Sequence, residues 1–155
     1  NEFVVPAEKF ENILDSLIID LEEVRNYAVN KYTNKKANTA RFTRNGIDAL
    51  LADLYLWDGD WDNCIAAVDR IVANRVEEYK EILEKEPNTT LVLFNNEYPL
   101  ISNLSPGSGN LGNAYNEIFG KGNSFETLFE LAFEGGSGSV ENTFIRNYSN
   151  QFNRN

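Results

Sequence analysis

The sequence predicts a mainly α fold with a loop-rich second half and one or two short strands. Three observations carry this prediction. Apolar residues recur at helical spacing in three stretches of residues 5–86. Gly, Pro, Ser and Asn gather after residue 87, where that period disappears. Hydrophobic residues make up 42% of the 155, enough to close one core. One domain is expected, with a helical part over 5–86 and a loop-rich part over 87–155.

The first helix rests on Phe10, Ile13, Leu14, Leu17, Ile18, Leu21, Val24 and Ala28, with Glu22 and Glu23 on the polar side. Pro6 suits a first helical turn, where its missing N–H costs little. "NKYTNKKANTA", 30–40, is polar throughout and is predicted as a loop. A second helix runs from about Thr43 to Trp57 on Ile47, Leu50, Leu51, Leu54 and Tyr55. A third begins near Trp61 and carries Ile65, Val68, Ile71, Val72, Val76, Tyr79 and Leu83 before Pro87 ends it. "TTLVLF" reads as a strand or extended segment, "SNLSPGSGNLGN" as a turn-rich loop, and "AYNEIF" as a brief helix. "TLFELAF", 127–133, alternates Phe129, Leu131 and Phe133 as a strand does, and "GGSGS" follows as a flexible loop.

Composition removes several kinds of function. Lys plus Arg number 14 against 24 Asp plus Glu, a formal net charge of -10. That charge repels phosphate backbones, and the basic residues form no stripe, so nucleic acid is not an expected partner. There is no His and a single cysteine, Cys64. Ser-His and Cys-His nucleophile pairs, His-ligated metals and thiolate zinc sites are thereby removed. No convincing catalytic constellation is present, and no cofactor is expected.

"LWDGDWDNC", 56–64, places Asp58, Asp60 and Asp62 at alternate positions, as a calcium loop does. A calcium loop wants Gly at its sixth position and a bidentate Glu at its twelfth. Here those positions hold Asn63 and Asp69. Helical spacing also persists from Trp61 through Val72, which favours a helix turn with Asp60 as N-cap and no metal. "GSGNLG", 107–112, matches a dinucleotide fingerprint but lacks the strand, the full helix and the βαβ frame around it. A solvated turn is the better account.

The helix pair around "DGDW" follows a tetratricopeptide order. Ala52 and Tyr55 stand before the turn, and Trp61 and Cys64 after it, alternating small and aromatic residues at suitable spacing. Tyr55, Trp57 and Trp61 are expected to fill the gap between the helices, and Cys64 to be a small packing residue. Phe144, Tyr148 and Phe152 differ, because they sit in an Asn-rich tail with no periodic partner. Aromatics among Asn, Arg and Ser are what a carbohydrate site needs: rings stack on sugar faces and amides bond the hydroxyls.

Most of residues 5–134 resembles the SusD/RagB family of nutrient-binding surface lipoproteins of Bacteroidetes-type bacteria. "VPAEKFENILDSLIIDLEEV" resembles the family's helix rich in "DLEEA". "RFTRNGIDALLADLYLWDGDWDNCIAAVDRIV" is similar to its most recognisable stretch. "NEYPLI" and "YNEIFGKGNSFETLFELAF" resemble its "Y-x-L" and "F-E-I-x-F" segments, in the same order. "VEEYKEILEKEPNTT" is longer than the family shows at that point. Family members are several times longer and carry a lipidated cysteine, so this chain is expected to be an internal slice.

The resemblance implies binding without catalysis. Such proteins hold oligosaccharides or other nutrients at the outer-membrane cell surface, lipid-anchored, and pass them to a TonB-dependent (SusC-like) transporter. Tetratricopeptide-like helices form the scaffold and contribute to contact with the channel. Ligand contacts come mostly from loop aromatics and amides, which points to Phe144, Arg146, Asn147 and Tyr148 here. The rival expectation is a tetratricopeptide-type protein–protein adaptor, which wants further 34-residue repeats.

Overall fold

A computed structural model describes residues 7–89, 91–95, 98–102, 114, 118 and 123–130. Four helices account for most of them: α1 (Phe10–Arg25), α2 (Lys35–Ala40), α3 (Arg44–Asp58) and α4 (Trp61–Lys85). The chain is mainly α, as its periodicity predicts, and no helix among the described residues is long and apolar enough to cross a membrane.

The predicted helices form close to their expected bounds. α1 begins at Phe10 rather than near Pro6. Thr43 caps α3, its hydroxyl accepting from the Gly46 N–H at 3.4 Å. α4 stops at Lys85, two residues before Pro87. Residues 30–40 depart from the predicted loop, because α2 occupies Lys35–Ala40. Asn34 caps it, its Oδ1 accepting from the Ala37 N–H at 2.7 Å. Six residues of polar helix leave no apolar stripe, so periodicity had nothing to detect.

The "DGD" turn joins α3 to α4 by backbone geometry. Gly59 takes φ 79°, the left-handed conformation that glycine adopts without strain. The Gly59 N–H donates to the Leu56 carbonyl at 3.4 Å and the Asp60 N–H to the Tyr55 carbonyl at 2.9 Å, the paired bonds of a Schellman motif. Asp60 then caps α4, its Oδ1 accepting from the Asn63 N–H at 3.1 Å. These bonds hold the Asp60 carboxyl below the usual carboxylate range, the Asn63 side-chain bond contributing most. Asp62 lies in the first turn of α4, where the helix dipole favours it. Gly59 thus ends one helix and Asp60 starts the next.

α3 packs against both α1 and α4. Ile47, Leu51, Tyr55 and Ala67 form the buried cluster, with Ile18, Leu21, Ala28, Ala52 and Cys64 packed against it. At its centre lies a carboxylate, Asp48, with 0% exposure. Arg25 from α1 donates twice to it, at 2.6 and 3.1 Å, and Arg70 from α4 donates at 2.8 Å. Asp48 raises the Arg25 pKa further. The Tyr55 hydroxyl donates to Glu22 at 3.0 Å, joining α3 to α1 once more. Burial first, and Glu22 second, push that hydroxyl up to about 12. A buried carboxylate without partners would cost several kcal/mol, so the two guanidinium groups fix how the three helices meet.

Two expectations about packing are overturned. Trp61 is 61% exposed and Trp57 69%, whereas Tyr55 is buried at 8%. Trp61 opens α4 directly after the turn. The α4 side that meets α3 carries Cys64, Ala67, Arg70 and Asn74, the last donating to Asn45 Oδ1 at 2.9 Å. Small residues there let the helix axes approach, which leaves Ile65 and Val68 on the outside. Trp57 instead meets the exposed Phe10 edge-on, with centroids 6.3 Å apart.

Beyond α4, Leu93 and Ile101 form an isolated antiparallel bridge. Phe94 N–H donates to the Leu100 carbonyl at 2.7 Å and Ser102 N–H to the Val92 carbonyl at 2.8 Å. "TTLVLF", read as a strand or extended segment, thus makes one isolated bridge and no strand among the described residues. Residues 127–130 carry no strand, contrary to the reading of "TLFELAF"; 131–133 lie outside the described residues. Phe129 stacks on Phe42 at 4.6 Å instead of alternating along a sheet. Most of "AYNEIF", all of "GSGNLG", and "GGSGS" also lie outside them.

Candidate functional site

A cleft of about 660 Å3 opens between the 31–39 segment and the C-terminal half of α4. Its floor is a second apolar cluster: Leu93, Ile101 and Phe125 are buried, and Tyr79, Ile82 and Leu91 pack against them. Ile82, Leu91, Ile101 and Phe125 reach the cleft surface. Arg75 holds this floor to the helix, donating to the Thr127 carbonyl at 2.7 Å and to Glu78 at 2.6 Å. Its guanidinium carbon lies 5.3 Å from the Phe125 ring centre, and Tyr79 meets that ring edge-on at 6.1 Å.

The rim is built by α2 and the turn before it. The Thr39 hydroxyl donates to Asn123 Oδ1, the Glu130 N–H donates to the Thr39 carbonyl at 2.7 Å, and the Asn123 N–H to Glu130 Oε2 at 3.0 Å. These bonds tie α2 to residues 123–130. Tyr32 N–H donates to Asn38 Oδ1, and the Arg41 guanidinium lies 5.5 Å over the Tyr32 ring. Asn34 and Asn38 thus each accept one backbone N–H on Oδ1. Their Nδ2 groups have no partner among the described residues and remain as oriented donors.

The cleft's charge runs against the chain's. Lys31, Lys35, Arg75 and Lys85 line it, against Glu78 and Glu86. Lys31 and Lys85 meet on one carboxylate, Glu81. The Lys31 bond, then that of Lys85, holds the Glu81 carboxyl below the usual range. Glu78 is taken by Arg75 at 2.6 Å. Lys35 has no ion-pair partner among the described residues.

The residues singled out from sequence as a ligand site, Phe144, Arg146, Asn147 and Tyr148, lie outside the described residues. The cleft was not foreseen. Its rim satisfies the same criterion that pointed to 144–148, since "YTNKKAN" places an aromatic among amides and cations. The floor had no such signal, because Leu91, Ile101 and Phe125 are far apart in sequence. Among the described residues no three carboxylate or thiol groups converge as a metal site would require.

In comparisons with known proteins, no family model, no curated protein and no solved structure matches this chain. The SusD/RagB resemblance rests on the quoted stretches of sequence alone.

Proposed function

We propose that the protein is a non-catalytic binder of a nutrient, most readily a glycan, at the outer-membrane surface of the cell. It would deliver that ligand to a TonB-dependent transporter. The observation that carries the reading is the cleft beside α2. Its volume lies within the range of about 300–1,000 Å3 typical of small-molecule sites. Asn34, Asn38, Thr33 and Thr127 line the cleft together with the apolar Ile82, Leu91, Ile101 and Phe125, a mixture that suits a molecule with hydroxyl edges and C–H faces. The family resemblance supports the same class of ligand, and Phe144, Arg146, Asn147 and Tyr148 are proposed to contribute from the C-terminal segment.

Calorimetric titration of the protein with a panel of oligosaccharides tests this. Saturable binding is expected, and Tyr148→Ala should weaken it about tenfold if that ring stacks on a sugar. Failure of every glycan to bind would remove the reading. A tetratricopeptide-type protein adaptor is the second reading. It is favoured by the exposed aromatic residues Phe10, Trp57 and Trp61 near the α3–α4 turn. Capture of a peptide that is lost in Trp57→Ala, with no glycan bound, would support it instead.

A further inference from the structure

We infer that the α2–α4 cleft takes a carboxylate-bearing sugar, such as a uronic acid residue, in preference to a neutral one. The inference rests on the glycan reading and specifies its ligand. Three observations combine. First, the rim offers amide donors. Asn34 and Asn38 each accept one backbone N–H on Oδ1, from Ala37 and Tyr32, and no described residue accepts from their Nδ2 groups. A ligand carboxylate can accept from these amides, with two oxygens and about four lone pairs.

Second, the local charge is positive in a chain of net charge -10. Two ammonium groups, Lys31 and Lys85, share the single Glu81 carboxylate, and Lys35 has no counter-ion among the described residues. The carboxylates in the lining do not cancel this. Glu78 is held by Arg75, and Glu86, exposed at the end of α4, is the one left opposing. Third, Leu91, Ile101 and Phe125 present an apolar floor opposite these donors. An inorganic anion has no use for such a floor, whereas a sugar ring has a C–H face to lay on it.

The test compares a galacturonic acid oligosaccharide with its neutral galactose counterpart of equal length, by calorimetry at low and high salt. Wild type should bind the acidic form at least about tenfold more tightly at low salt, and the preference should shrink as salt rises. Lys35→Glu and Lys85→Glu alter exposed side chains and leave the core intact. Each should remove most of the preference while leaving the helical circular dichroism unchanged. Equal affinity of wild type for the two sugars overturns the inference but leaves glycan binding standing. An acidic preference that persists in both variants places the site elsewhere and also overturns it. Binding of neither sugar removes the inference together with the reading beneath it.

Discussion

The two apolar clusters differ in what surrounds them. The first joins α1, α3 and α4, with Ala28 from the turn after α1 packed against it. An ion cluster at Asp48 closes its centre, and Leu51 has 0% exposure. The second collects Tyr79, Leu93, Ile101 and Phe125 from segments far apart in the chain, beside an open cleft. The first is a helical scaffold whose centre, at Leu51 and Ala67, is closed to water. The second is the floor of the cleft, apolar beneath and polar along its rim. One cluster is enclosed by helices, and the other leaves apolar surface open beside polar groups.

The largest expected effect falls on the first cluster. Leu51→Ala leaves a cavity among three helices and should destabilise by about 3–4 kcal/mol. Phe125→Ala removes a larger side chain yet should cost only about 2 kcal/mol, because the adjoining cleft lets its neighbours close in. Denaturant unfolding followed by far-ultraviolet circular dichroism measures both. If Phe125→Ala lowers stability as much as Leu51→Ala does, the two clusters are one cooperative core and the contrast fails.

Tyr55 sharpens the same comparison through pH. Its hydroxyl, pushed up to about 12 from an ordinary 10.0, keeps its proton in the folded protein where the unfolded chain loses it. Its contribution is therefore complete below about pH 10 and is lost as pH rises towards 12. Tyr55→Phe should cost about 1 kcal/mol at neutral pH by removing the bond to Glu22. Between pH 10 and 12 the variant should lose less stability than wild type does. Parallel stability curves over that window would show that this hydroxyl is not shielded by the first cluster.

The smallest effect is expected at Trp61. A side chain in a residue 61% exposed contributes little burial, so Trp61→Ala should change stability by less than about 1 kcal/mol. A loss of 3 kcal/mol or more, which a buried tryptophan would give, would place this ring inside the scaffold after all.

Much of the scaffold was legible. Ile47, Leu51 and Tyr55 repeat at helical spacing, and Thr43 and Asp60 are cap residues at the positions where caps occur. The "DGD" turn was also legible, since glycine between two aspartates suits a left-handed residue followed by an N-cap. α2 was not, because six polar residues show no period. The cleft was not read from the sequence. Its rim carries a compositional signal in "YTNKKAN" that the reading passed over, and its floor depends on Phe125 meeting Tyr79 and Arg75 across about 50 residues of chain.

Spacing along the chain located α1, α3 and α4, and the cap residue Asp60 marked the turn between the last two. These follow from interactions within a few residues, so local spacing is enough to read them. Contacts across the fold set the rest: Asp48 is buried between Arg25 and Arg70, Ala67 rather than Ile65 or Trp61 meets α3, and a positively lined cleft opens in an acidic chain. Period says that a helix has a side to bury. Which residues are covered depends on where the neighbouring helix ends and which ion pairs set its angle, and those contacts span tens of residues.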